Sequence, residues 1–260
     1  MPKDDKILCR PYGPLDLAPE MAAVGVTQSV IIQAAPSIEE TEYILGIADV
    51  TPIVAGVVGW VDFNDPKHSY HLDRLAEHPK FKGVRPMIQD IPDPNWILGE
   101  QVACAFRYIV ELDLTFDALG LPIHLDKFLT LFTRYPQMHV VIDHCMKPEI
   151  ETGKKFNFDT WADGMSHLAE ETNAHCKLSG LITEDKKDWS VENLRPYASH
   201  ILEIFGPDRT MWGSDWPVCK LRGEYEEWHG AAKELTEHLT EVEIEKIFGG
   251  TAQEFYSLND

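Results

Sequence analysis

Apolar runs of strand length recur along this chain at 26–33, 53–61, 81–88, 114–119, 139–145, 174–180 and 210–215. Each is followed by a stretch with helical spacing or composition, for example at 37–48, 94–111, 124–135, 160–171, 191–205 and 224–239. Strict alternation of this kind predicts a mostly parallel sheet covered by helices. Several runs, VIIQAA, IVAGVVGWV and HVVID, are nearly continuous in apolar residues, as strands buried on both faces must be. Strand number and a length of 260 residues favour a barrel over a doubly wound sheet, and no Gly-x-Gly-x-x-Gly follows any run. The fold class expected is α/β, a distorted (β/α)₈ TIM barrel formed by residues 1–260 as one domain. Its first strand is missing or replaced by a short N-terminal segment: a helix is predicted over 14–24, and only residues 6–10, KILCR, precede it as a poorly patterned strand candidate.

Composition narrows the partners. A net charge of −20 repels phosphate backbones and anionic membranes, so neither nucleic acid nor a membrane is expected as a partner. No apolar run approaches the ~20 residues of a membrane span, and the first residues lack the pattern of a secretory signal. The five cysteines are odd in number, widely spaced and free of any C-x-x-C pair, which argues against a disulfide framework or a cysteine zinc site. Cytoplasm is the expected compartment, with a homo-oligomer left open.

In a barrel the C-terminal ends of the strands share one face, and that is where chemistry collects. There the sequence places Gln33, Asp62, Arg85, Gln89, Asp117, His144, Lys177, Asp215 and Trp216. Buried charges are costly unless paired, so a convergent set of this kind serves a ligand or its own members. Asp215, in MWGSDWPVC, follows the last run and suits a general base; Ser and Asp there also suit a helix cap. His144, in VVIDHCMKP, suits proton transfer or metal binding, or else a structural hydrogen bond near Pro148. Arg85 and Lys177 suit the anchoring of a carboxylate or carbonyl, with an internal salt bridge as the alternative. By strand alternation His175 shares a face with Lys177. Gln89, and the aromatics Trp96 and Trp216, are candidates for the pocket lining, although large aromatics are commonly core.

These motifs resemble the amidohydrolase superfamily, in particular its amidohydrolase-2 branch of sugar-lactone and 2-pyrone-4,6-dicarboxylate lactone hydrolases. The resemblance rests on LDLAPEMAAVGV, VAGVVGWVDF, FKGVRPMIQDIPDPNW, LTFDALGLPIHL, VVIDHCMKP, CKLSGLITE and FGPDRTMWGSDWPVC, which in this order span nearly the whole chain. It implies a hydrolase that opens a small-molecule lactone of a sugar acid or carboxylated compound. Asp215 then activates water, and His144 contacts the substrate carbonyl or a divalent metal. Arg85, Lys177, Gln89, His175 and Trp216 bind substrate. The cofactor implied is either none or one divalent ion, zinc or manganese, on His144 and Asp215.

One departure stands out. The superfamily's first strand normally ends in His-x-His, and no such motif occurs in this sequence. Either the start lies downstream of that strand or the chain is a shortened member. Two further readings therefore stay open: a metal-dependent decarboxylase or amide hydrolase on the same barrel, and a catalytically silent barrel that binds a ligand or partner.

Overall fold

The computed structural model describes residues 6–152 and 157–258. Each apolar run forms a strand: β1 (Ser29–Ile32), β2 (Val54–Gly59), β3 (Phe81–Val84), β4 (Thr115–Ala118), β5 (His139–Ile142), β6 (His175–Leu178) and β7 (Thr210–Trp212). All neighbours pair in parallel, in the order β1-β2-β3-β4-β5-β6-β7. Before, between and after them run the helices α1 (Pro14–Val24), α2 (Ile38–Val50), α3 (His68–Ala76), α4 (Glu100–Glu111), α5 (Leu125–Arg134), α6 (Phe158–Glu171), α7 (Leu181–Glu184), α8 (Val191–Phe205), α9 (Tyr225–Thr236), α10 (Glu241–Glu245) and α11 (Thr251–Phe255).

Local chemistry explains the boundaries. Ser37 and Ser190 accept from the backbone N–H of Glu40 and Asn193, capping α2 and α8, and Gly25 ends α1 at φ 80°. The helices turn one apolar face to the sheet. Phe106 and Ile109 of α4, Phe128 and Leu131 of α5, and Trp161 and Leu168 of α6 are fully buried, each stabilising the layer by roughly 1.5–3 kcal/mol. No helix among the described residues is long and apolar enough to cross a membrane.

The sheet curls on itself, because Val58 of β2, Val141 of β5 and Met211 of β7 share one buried cluster with Phe255 and Tyr256. The C-terminal segment thus enters the curl: Leu258 lies against Gly56 of β2, His175 packs on Phe255 at 4.8 Å, and Phe248 stacks on Trp212 at 5.8 Å. Among the described residues β1 and β7 remain the two edges of the sheet. Residues 6–10 form turns and bends rather than the candidate strand. The chain from there packs on the last loop instead, with Tyr12 against Trp216 (5.1 Å between rings) and Glu20 of α1 on Lys220 (2.9 Å).

Candidate active site

The site begins where β5 and β7 stop. After Ile142 the backbone turns left-handed for four consecutive residues, His144 (φ 52°), Cys145 (51°), Met146 (60°) and Lys147 (48°). A left-handed residue other than glycine costs roughly 1–2 kcal/mol, so such a run persists only where packing over-determines it. Here Trp161 Nε1 donates to the Cys145 carbonyl (2.8 Å), and the Cys145 thiol donates to that of Lys177 (3.3 Å). After β7, Asp215 is also left-handed (φ 53°); its carbonyl accepts from Cys219 N (2.9 Å), and Trp228 Nε1 holds the Gly213 carbonyl (2.9 Å).

These turns bring two side chains face to face. His144 Nε2 stands 3.6 Å from Asp215 Oδ1, while its Nδ1 meets Ser179 Oγ at 2.8 Å. Gly180 makes that approach possible: it is left-handed (φ 68°), and a Cβ there would lie 2.8 Å from His144 Cβ. Burial pushes the His144 imidazole below its ordinary range; Asp215 and Asp143 oppose this, and Lys147 and Arg85 add to it. A neutral ring facing a carboxylate carries its hydrogen on Nε2, so Ser179 donates to Nδ1. The pair therefore offers a base, Asp215, and a neutral N–H donor, His144, side by side at the ends of their strands.

Beneath lies a closed ionic network. Lys177 Nζ is 2.5 Å from Asp117 and 2.7 Å from Asp143, and Arg85 reaches Asp143 at 3.1 Å and the Gln33 carbonyl. Tyr256 Oη donates to Asp117 (2.8 Å), and Gln33 Nε2 donates to the Arg85 carbonyl (2.7 Å). Burial alone would raise the Asp143 carboxyl, but Lys177, Arg85 and His144 together hold it well below the carboxylate range. Burial likewise pulls Lys177 down, and the two acids outweigh it, so the ammonium stays charged. Arg85 and Lys177 thus face internal acids.

The structure brings Asp215, His144, Arg85 and Lys177 together around Asp143. It does not bring His175 to them. Alternation put His175 on the inner face, but it opens β6 at the opposite end, against Phe255, where burial lowers it to about 4. Gln89 sits half-buried in a short helical turn, 88–90, with no side-chain hydrogen bond to this group among the described residues. Trp216 is packed on Tyr12, and Trp96 stacks on Phe63 (6.3 Å) and donates to Asn64 (3.1 Å). Asp62 accepts from Asn64 N (2.9 Å) in the turn after β2. Sequence reasoning missed Asp143, Ser179, Gly180 and Tyr256; Asp143 alone carried a signal, as an acid ending a buried strand beside His144.

Whether a metal fits is a question of donors. A catalytic zinc takes three protein ligands plus water. His144 and Asp215 are two, and no group of three or more His, Cys, Asp or Glu able to hold an ion occurs among the described residues. These residues by themselves do not make a zinc site.

The amidohydrolase family model matches residues 1–258. The chain is 39% identical over 254 residues to an L-fucono-1,5-lactonase of Burkholderia ambifaria, covering 96% of this chain and 87% of that protein. It is 31% identical over 268 residues to an L-fucono-1,5-lactonase of Burkholderia multivorans, covering 97% and 88%. Among solved structures, an amidohydrolase from Burkholderia multivorans with bound zinc superposes with a TM-score of 0.91 at 30% identity, over 97% of this chain and 91% of that one.

Proposed function

We propose that this chain, which belongs to the amidohydrolase family, hydrolyses the lactone of a sugar acid. The observation that carries the reading is the His144–Asp215 pair, 3.6 Å apart on two left-handed turns at the C-terminal ends of β5 and β7. The names of the lactonase relatives support it.

Lactone opening needs a nucleophile at neutral pH and a partner for the developing oxyanion. A water on Asp215 loses its proton to the carboxylate as its oxygen attacks the lactone carbonyl. The carbonyl oxygen becomes an oxyanion and accepts the Nε2–H of His144, which its buried, neutral ring keeps in place. Collapse of the tetrahedral intermediate breaks the ring C–O bond, and the proton held on Asp215 passes to the departing alkoxide. One water is consumed, one hydroxy acid is formed, and Asp215 is regenerated. No step is routed through a metal, since the described residues supply two donors only.

Charge decides the kind of lactone. Asp143 and Asp117 already match Arg85 and Lys177, so we assign these cations to positioning the turn that carries His144. A carboxylated lactone would have to compete with those acids; an uncharged, hydroxylated lactone would not. Cys104, Cys145, Cys176 and Cys219 form no disulfide, which supports a cytoplasmic setting. A lactone panel tests the reading: the protein should open neutral sugar-acid lactones and leave a pyrone dicarboxylate largely intact. Turnover of the dicarboxylate alone would overturn the assignment, and turnover of no lactone would overturn the reaction.

A further inference from the structure

A second pair of charged groups stands on the chain segments that carry this site. Lys147 closes the left-handed run three residues after His144, and Glu184 ends α7, which opens at Gly180, the residue touching His144. Their side chains are 23% and 25% exposed, accessible from solvent yet largely enclosed. Lys147 Nζ and Glu184 Oε1 are 3.9 Å apart, at the limit of an ion pair, and neither side chain makes a hydrogen bond among the described residues. Three ammonium hydrogens and two carboxylate oxygens are therefore unspent. In the network below, by contrast, Lys177 lies within 2.7 Å of both its acids.

The backbone holds this pair in place. Glu151 N donates to the Glu184 carbonyl (3.1 Å), tying the end of α7 to the loop after Lys147, and Thr183 Oγ1 closes the turn onto the Gly180 carbonyl (2.7 Å). The pair lies near enough for its charge to act on the reacting groups, Lys147 on His144 and Glu184 with Asp215. Burial pushes the Glu184 carboxyl up, Lys147 and Arg222 offset part of that, and Asp215 adds to it. An exposed surface pair would need no such enclosure, and a purely structural one would close to hydrogen-bond distance.

We infer that Lys147 and Glu184 bind the hydroxyl groups of the substrate, the ammonium donating to one hydroxyl oxygen and the carboxylate accepting the hydrogen of that hydroxyl or its neighbour. A hydroxyl is donor and acceptor at once, so it fits between an ammonium and a carboxylate that do not touch. A vicinal diol satisfies both. This assignment rests on the lactonase reading and deepens it: the pair selects polyhydroxylated lactones over unsubstituted ones, while Asp215 and His144 act on the ester they share.

The test compares kcat/KM for a neutral sugar-acid lactone with that for δ-valerolactone, in the wild type and in Lys147→Met, Glu184→Gln and Lys147→Arg. Hydrogen bonds to charged groups predict that the selectivity ratio falls about tenfold or more in the first two variants. Lys147→Arg keeps a donor and should retain the ratio within a few-fold. A ratio unchanged in both Lys147→Met and Glu184→Gln would overturn the assignment even if both rates fell together, because a structural role weakens both substrates alike. Should either variant fail to fold, Lys147→Gln or Glu184→Asp takes its place, each expected to lower the ratio, and a ratio unchanged in both positions overturns the assignment. A wild type that opens neither lactone would overturn the lactonase reading itself, and this inference with it.

Discussion

Two layers of charge sit one above the other in this curled sheet, and they differ in spacing. In the lower layer Lys177 lies 2.5 Å and 2.7 Å from Asp117 and Asp143, and Arg85 3.1 Å from Asp143, all nearly sealed from water. In the upper layer His144 stands 3.6 Å from Asp215, both largely enclosed, and Lys147 3.9 Å from Glu184, the more open to solvent. Closed pairs spend their charge on one another and serve the fold. Open pairs keep donors and acceptors for a ligand. The contrast is why we propose Arg85 and Lys177, which look like substrate anchors in the sequence, as supports for the turn above them.

Breaking the lower layer should cost stability first. Lys177→Met leaves Asp117 and Asp143 buried without their shared cation, and a loss of about 3–5 kcal/mol in urea unfolding is expected. A change below ~1 kcal/mol would mean that the network is far weaker than its distances imply.

The seam between the layers comes next. Gly180→Ala forces a Cβ to within 2.8 Å of His144 Cβ at a left-handed position. Unfolding free energy should drop by about 1–3 kcal/mol, with turnover falling as His144 is displaced. If the loss of stability appears while kcat is untouched, Gly180 does not position His144.

Tyr256→Phe removes only the hydroxyl that reaches Asp117 at 2.8 Å. About 1–2 kcal/mol of stability should go, read by the same unfolding curve, since one buried hydrogen bond to a charged group is lost. An effect on kcat larger than this on stability would move Tyr256 into the upper layer.

Acid is the gentlest probe. Burial lowers both His175 and His229 from the ordinary 6.5 to about 4, so each binds its proton more readily in the unfolded chain. Their contribution to stability is fully present above pH 6.5 and is lost as pH falls toward 4. Thermal scans across that window should show Tm declining by on the order of several degrees. A flat profile would contradict the buried, neutral state of these rings.

Much of this architecture is legible in the sequence. All seven strands are visible as apolar runs, because parallel strands buried on both faces leave an unmistakable pattern. His144 and Asp215 are legible for the same reason: polar residues that end such runs stand out. What stays hidden depends on backbone twist and distant packing. Nothing in DHCMK announces four left-handed residues, since the sterics that hold them come from Trp161 and Lys177 elsewhere in the chain. α3 is faint in the sequence because its apolar face is short, two buried leucines, Leu72 and Leu75. Tyr256 lies 139 residues from its partner Asp117, and no local pattern predicts that a C-terminal segment enters the curl. His175 was misplaced because alternation gives the face of a strand and not its height.

The central claim is that Asp215 is the base of an open pair and not a member of the supporting network. Asp215→Asn, with kcat on a neutral sugar-acid lactone and urea unfolding measured on the same preparation, tests it most directly. kcat should fall roughly 10²–10⁴-fold, with stability unchanged within about 0.5 kcal/mol. Turnover retained within tenfold of wild type, or a loss of stability comparable to that of Lys177→Met, would contradict it.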